Sequence, residues 1–381
     1  MKPLSNRLQW RNGRQRSKHM RKMSIAALAL VIGTSALAGC GRDASADVSA
    51  EVAKIDQQSG PAREQALYAK AKDEGSVTWY TGLIPNQVVI PIKEAFEKKY
   101  PGVELKYYRG GSSEIAQKML LEAKARAPKS DVWDGAHAGE ALKGARAAEK
   151  YDSPYAEDYP NDQKDPDGYW TAVNIYVKGI AYNTDRVKPA DAPKTFDDLL
   201  DPKWKGQVAW TPEATGGADF IGNVLNTLGE QQGEEFLRKL AGQKLKVVQV
   251  SSRELLNQAI AGQYPIVLQV FNNHVALSKK DGAHVAFSAL NAASKELNPL
   301  GLTAGAAHPF AARLLIDFLL SPEGQAVFRD AAYIPASPDV RPTDPDLDPE
   351  SGRFKTTLLS PAQIEKDSGR WMDLFDKVNA G

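Results

Sequence analysis

Apolar residues recur along this chain in two alternating rhythms. Short β-branched or aromatic runs are followed by longer stretches with apolar positions three and four apart, the pattern of strands feeding amphipathic helices. Val77-Thr78-Trp79-Tyr80 reads as a strand closed by Thr81-Gly82, and a helix is predicted over about 88–99, stopped by Pro101-Gly102. A strand from Val103 to Tyr108, a loop Arg109-Gly110-Gly111, a helix over about 112–127 and a strand Asp131-Val132-Trp133 continue the series. The second half repeats this grammar. Strands are predicted over 207–210, 245–250 and 266–270, with helices near 218–228, 233–240 and 254–261. Phe220, Val224, Leu225 and Leu228 fall at helical spacing and should face a core. The apolar run Val173 to Tyr182 is suited to crossing between two halves, and His284 to Leu290 is a second candidate. Helices near 309–320 and 361–378 close the chain. Strands separated by helices of this length form parallel βαβ units, so the fold class is α/β, and ligands of such sheets sit beyond the strands' C-terminal ends.

The first forty residues follow another rule. A basic run holding Arg11, Arg14, Arg16, Lys18, Arg21 and Lys22 precedes the apolar stretch Ser24 to Ala38, which is shorter than the roughly 20 residues of a spanning helix. The stretch reads as an export signal, and without an adjacent arginine pair the general secretory route is expected; Met20 or Met23 is an alternative start. Its close, Leu37-Ala38-Gly39-Cys40, resembles the bacterial lipobox, and Cys40 is the single cysteine of the chain. That resemblance implies a signal peptide over residues 1–40, a diacylglyceryl group on Cys40, and a lipid-anchored protein in the periplasm or on the outer face of the cytoplasmic membrane. Residues 41–60 are polar and lack aromatic side chains, and are expected to form a tether, with a short amphipathic helix beginning near Pro61.

Composition narrows the remaining choices. At 381 residues the chain is expected to form two domains. Its formal net charge of +1 provides no long-range field, so no nucleic-acid partner is expected. One cysteine excludes an intrachain disulfide and a cysteine-based metal site. No Gly-x-Ser-x-Gly elbow and no His-Glu-x-x-His helix occurs, and outside the leader the histidines, at 137, 274, 284 and 308, are scattered. A hydrolase is therefore disfavoured, and neither a catalytic residue nor a cofactor is assigned.

Several stretches in order resemble the iron(III)-binding branch of the bacterial extracellular solute-binding proteins that serve ATP-driven importers. They are Val77 to Tyr80, Arg109-Gly110-Gly111-Ser112-Ser113, Ile180-Ala181-Tyr182-Asn183-Thr184, Thr195 to Leu200 with Pro202-Lys203-Trp204-Lys205-Gly206, Ala261 to Ile266, Ser321-Pro322-Glu323-Gly324-Gln325 and Tyr333-Ile334-Pro335-Ala336. The resemblance implies a two-lobed type 2 periplasmic-binding fold, each lobe a mostly parallel sheet flanked by helices, with a ligand cleft between them. The lobes are expected at 61–178 plus 285–381 and at 179–284. It also implies a monomer that closes on its solute and docks on a membrane permease, or, as an alternative, a ligand-sensing lipoprotein.

In iron-binding members of that family, paired tyrosines follow a strand. Here the corresponding residues are Asn272-Asn273-His274-Val275. The family's histidine and glutamate would fall near Ile84 and Ala136, so the resemblance implies no retained iron ligands and no metal site is assigned. His137 lies beside the glutamate position, but a lone histidine is an ordinary packing residue more often than a ligand. What remains is suited to an anion. Arg109 with Ser112 and Ser113, Thr215-Gly216-Gly217, and Ser251-Ser252-Arg253 each open a helix, where free N–H groups favour phosphate or carboxylate. Ser251 with Glu254 also fits a capping box, which explains it without a ligand. The expected ligand-binding set is Thr81, Arg109, Ser112, Ser113, Thr215, Gly216, Gly217, Asn273 and His274. The expected solute is a small organic phosphate, phosphonate or carboxylate, with iron or an iron complex as the alternative.

Overall fold

The computed structural model describes residues 44–212 and 216–380. Cys40 and Thr215 lie outside these residues. In chain order the first part holds α1 (Ala44–Asp56), α2 (Gly60–Glu74), β1 (Ser76–Thr81), α3 (Ile90–Lys99), β2 (Glu104–Arg109), α4 (Ser112–Lys124), β3 (Val132–Asp134), α5 (Gly139–Gly144) and β4 (Ala148–Glu149). The long strand β5 (Thr171–Asn183) leads into β6 (Val208–Trp210), α6 (Gly216–Leu228), α7 (Glu230–Ala241), β7 (Lys246–Val247), α8 (Ser252–Ile260), β8 (Ile266–Phe271), α9 (Asn272–Lys280) and β9 (Val285–Ser288). A second long strand, β10 (Ala293–Thr303), is followed by α10 (Pro309–Leu320), α11 (Pro322–Asp330), β11 (Ile334–Pro335), β12 (Thr356–Leu359) and α12 (Pro361–Ala380). Of the strand expected over 245–250, only Lys246–Val247 pairs, and both of these side chains are exposed.

The strands join in the order β2-β1-β3-β10-β5-β8-β6-β7. At one end β1 pairs in parallel with β2 and β3; at the other β6 pairs in parallel with β7 and β8. Between them β5 and β10 run antiparallel and carry the chain from one side to the other. Residues 171–178 of β5 lie along β10, whereas 178–183 lie along β8 and β9, so the strand changes partners at Lys178. Ile175 and Val177 pack in the first apolar core and Ile180 and Tyr182 in the second, so the packing switches within the same few residues. Gly179 permits this turn of the strand. A Cβ there would sit 2.6 Å from the Phe287 ring and from the Ser288 carbonyl. The second crossing comes one segment later than expected, because Val285–Ser288 still pairs with the far half of β5 and Ala293–Thr303 makes the return.

The first core gathers around α10, whose residues from Phe310 to Leu320 are all buried. The helix therefore hides two charges, Arg313 and Asp317. Arg63 of α2 donates to Asp317 and, at 2.5 Å, to Tyr151, while Ser153 and Tyr151 donate to the other carboxylate oxygen at 2.6 and 2.7 Å. Arg313 pairs with Asp56 at 3.1 Å and Glu149 at 3.0 Å. These bonds explain a correction to the sequence reading. Residues 44–56 are not an extended tether but a helix, with Val52 and Ile55 buried against the first core and Asp56 held by two arginines. The apolar residues Val48, Val52 and Ile55 recur at helical spacing within an alanine-containing run, which is enough for an amphipathic helix once a surface is present.

The second half of the sheet is covered on both faces. Helices α6, α7 and α12 contribute Phe220, Val224, Phe236, Trp371 and Phe375 to one core; α8 and α9 contribute Leu255, Leu256 and Val275 to the other. The terminal helix was expected with the first lobe. Its Trp371 and Phe375 instead pack against Trp210 and α6, with the Trp210 and Phe375 rings 4.3 Å apart.

Asp317→Ala should lower unfolding free energy in urea by about 3 kcal/mol, because it strips a buried arginine of its main counter-charge. An unchanged denaturation midpoint would show that Asp56 alone suffices to hold Arg63.

Candidate functional site

The loops that follow β1, β2 and β3 are tied to one another. Gly110 N–H donates to the Thr81 carbonyl at 3.2 Å, Gly82 N–H to Asp134 Oδ1 at 3.3 Å, and His137 N–H to Ser112 Oγ at 2.9 Å. Thr81 is fully buried, and its hydroxyl accepts from Leu83 N–H at 3.1 Å, so it braces the first loop from within. Ser112 likewise braces the loop after β3, while Ser113 is exposed. Arg109 stands exposed at the end of β2, opposite Thr81, and its charge reaches Glu114 and Tyr333. The start of α4 already holds a carboxylate: Glu114 accepts from Gly111 N–H at 3.2 Å and from the Tyr108 hydroxyl.

Below these loops the strands carry buried polar groups. Asn298 on β10 donates to Asp134 at 3.1 Å and to Asn174 at 2.9 Å. Burial pushes the Asp134 carboxyl up to about 6, opposed by bonds from Thr81, Asn298 and Gly82. Tyr176 follows on the same face of β5, its hydroxyl held protonated well above the usual phenol range by burial.

On the other side, β8 ends at Phe271 and α9 begins at once. No side chain caps this helix. Asn272, Asn273 and His274 are buried in its first turn, where Asn272 donates to the Leu347 carbonyl at 3.4 Å. The His274 ring lies 5.0 Å from the Phe271 ring, and Arg253 of α8 donates to its carbonyl at 3.2 Å. Burial, aided by Arg253, lowers the imidazole to about 4, so the ring is neutral at pH 7. Asn273 and His274 thus share one helix start. Ser251 caps α8, its hydroxyl accepting from Glu254 N–H at 3.2 Å, and needs no ligand to explain it.

Gly216 and Gly217 begin α6 as expected, but the second glycine has a packing reason. A Cβ on Gly217 would overlap the ring edge of Phe375, so the residue is small to admit the terminal helix.

The feature that the sequence reading missed lies where the two cores meet. Lys178 donates to Asp219 at 2.8 Å and to Glu296 at 2.7 Å, and all three side chains are buried. Lys178 comes from β5, Glu296 from β10 and Asp219 from the first turn of α6. His137, in the loop after β3, completes the group: its ring and the two carboxylates bring ligand-type atoms within 4.8 Å of one another. Burial works to lower the Lys178 ammonium, but Asp219 and Glu296 outweigh it and hold it charged. Burial, then Asp219, pushes Glu296 up to about 7 against Lys178 and Ser294. Burial lowers His137, with Lys178 adding to the effect and Asp219 and Glu365 opposing it. The ammonium already occupies the position from which a cation would bridge the two carboxylates. A lysine and a glutamate inside apolar strands were the available signals; only their convergence was hidden. Phe271 joins this group to α9, since its ring lies 5.0 Å from the Lys178 ammonium and 5.3 Å from Tyr176.

Two α/β cores joined by antiparallel crossover strands, with loops and helix starts converging where the cores meet, make the type 2 periplasmic-binding fold. Residues 128–357 match the family described as bacterial extracellular solute-binding protein, and the chain belongs to that family. An uncharacterized protein of Haemophilus influenzae is 25% identical over 244 residues, spanning 61% of this chain and 69% of that one. Iron-bound HitA from Pseudomonas aeruginosa superposes with a TM-score of 0.68 at 22% identity, over 80% of this chain and 99% of its own. AfuA from Actinobacillus pleuropneumoniae, with fructose-6-phosphate bound, gives 0.67 at 23% identity over the same shares. At these identities the two structures support the fold. Among the described residues, no helix is long and apolar enough to cross a membrane.

Gly217→Ala should destabilise the chain by about 1–3 kcal/mol through overpacking against Phe375, and adding Phe375→Leu should restore part of the loss. Melting temperatures of the single and double variants check this; a Gly217→Ala chain as stable as wild type would remove the packing explanation.

Proposed function

We propose that this protein captures a small organic anion carrying a phosphate, phosphonate or carboxylate group, closes two lobes around it, and presents it to the permease of an ATP-binding-cassette importer. One observation carries the anion reading. Where iron-binding relatives place phenolates, α9 starts without a side-chain cap and offers Asn273 and a neutral His274. Backbone N–H groups at a helix start, with the positive end of its dipole, attract an oxyanion. Arg109 stands exposed and would add a charge-assisted bond from the opposite side. Thr81, Ser112, Ser113, Thr215, Gly216 and Gly217 form the rest of the proposed lining, with Thr81 and Ser112 acting through the loops they brace. Solved structures of this fold hold iron in one case and a sugar phosphate in another, so the fold accommodates either ligand class. Hard oxygen donors suit ferric iron, and the α9 start supplies no phenolate.

The proposed lobes are 61–178 with 293–358, and 179–292 with the terminal helix, following the apolar cores. Ligand bridging the lobes would raise the population of the closed form, which the permease would recognise. Cys40, if lipidated, would keep the protein beside that permease.

A thermal-shift panel of sugar phosphates, phosphonates, dicarboxylates, amino acids and ferric citrate tests the ligand class. An oxyanion compound at a hundred times its Kd should add about 2.7 kcal/mol, a rise of a few degrees, and Arg109→Ala should weaken that shift. Stabilisation by ferric citrate or neutral compounds alone, with Arg109→Ala behaving as wild type, would overturn the anion reading.

Cys40→Ala should abolish metabolic labelling with fatty acid and release the protein from membranes. Retention of the variant in the membrane fraction after a carbonate wash would refute the anchor.

A further inference from the structure

We propose that Gln269 is a positioning residue of the anion site: a bulge at this residue turns Phe271 and the first turn of α9 toward the face on which the two cores meet. The proposal rests on the reading of the α9 start as an anion site and concerns how that site is placed.

The alternation along β8 reveals the bulge. Ile266 and Leu268 belong to the core beneath α6, α7 and α12, and Val267 to the core beneath α8 and α9, as successive residues of a strand should. Unbroken alternation would return Val270 to the side of Ile266 and Leu268. Val270 lies instead with Val267. Pairing with β5 gives the reason: Leu268 faces Ile180 and Val270 faces Gly179, which leaves Gln269 as an extra residue between them. One extra residue in an antiparallel pair sends every later side chain to the opposite face.

The backbone at this point is left-handed, with a φ of +55° at Gln269. A bulge of this kind normally has glycine there, since a Cβ disfavours that conformation. Gln269 is 2% exposed and is tied from two sides. Its side-chain amide donates to Ser294 Oγ on β10 at 3.4 Å, and its carbonyl accepts from Ser252 Oγ in the first turn of α8 at 3.0 Å. The bulge is thus pinned between a crossover strand and a helix of the second half.

The consequence falls on the residues that follow. Phe271 comes to the face of Tyr176 and Lys178, its ring 5.3 Å from the tyrosine ring and 5.0 Å from the ammonium. Without the extra residue it would share the face of Val267, beneath α8 and α9. Because α9 begins at Asn272 with no linker, Asn273 and His274 inherit their direction from Phe271. Gln269 therefore acts through the strand and the helix start rather than by contact with the solute.

Histidine-ring NMR of the purified protein tests the placement without a ligand. The His274 signal, assigned by its loss in His274→Gln, should titrate near 4 in wild type, because burial and Arg253 hold the ring neutral. Gln269→Gly accepts the left-handed backbone and should leave this titration unchanged. Gln269→Val, whose branched Cβ resists that backbone, should release α9 and move the titration by more than about one pH unit toward the ordinary 6.5. Gln269→Ala loses the tie to Ser294 but keeps a Cβ, so it should move the same way by less; it carries the test if the valine variant does not fold. A role in stability alone would lower Tm and leave His274 unmoved in the valine and alanine variants, and that result overturns the proposal. So does a glycine variant that shifts as far as valine.

Calorimetric titration with inorganic phosphate and fructose-6-phosphate then reads the link to binding. Gln269→Val should bind about ten-fold more weakly, and Gln269→Gly within about three-fold of wild type. A valine variant with a shifted His274 and wild-type affinity overturns that link. Absence of binding by wild type would refute the anion reading instead, with the His274 titrations still deciding whether Gln269 places α9.

Discussion

A lysine held between two carboxylates, in a place with almost no water, is the constraint on which the remainder of this structure turns. Lys178 sits where β5 stops pairing with β10 and begins pairing with β8, so its ammonium lies at the one position shared by both halves. A buried ammonium is tolerated only when countered and hydrogen-bonded, and Asp219 and Glu296 do both at 2.7–2.8 Å. That requirement fixes the first turn of α6 against the crossover strands. It also brings α6, and with it the helix that packs over Gly217, to the side where the loops after β1 and β3 end. The path of the chain and the geometry of the site therefore follow from one ion group.

The two sides of the site are built differently. On the first, polar side chains spend their hydrogen bonds on the loops themselves: Thr81 on Leu83, Asp134 on Gly82 and Asn298, Ser112 on His137. Such groups make rigid walls. On the second, α9 starts directly from a strand without a capping side chain, and its histidine is neutral through burial. The start of α9 thus presents amide and imidazole groups and contains no tyrosine.

Elements with strong local signals were legible in the sequence. The β-branched run at 173–182 became the crossover strand, and Phe220, Val224 and Leu225 do face a core. What escaped was whatever depended on distant partners. Residues 44–56 look too polar to bury anything until α10 presents Arg313 to Asp56. The need for a glycine at 217 comes from Phe375, which lies in the last helix and is remote in sequence. Lys178 is 41 residues from Asp219 and 118 from Glu296, and no local period links them. The same distance applies to α12: its apolar face is visible in the sequence, but the surface it meets, Trp210 and α6, is far away along the chain.

Both cores are completed by late segments of the chain. The first needs β10 and α10, and the second needs α12, which ends at Ala380. Both cores therefore join residues far apart in sequence, and folding waits on contacts of long sequence separation. Until those contacts form, the apolar faces of the flanking helices stay exposed, which makes the unfinished chain prone to pair with itself or its neighbours.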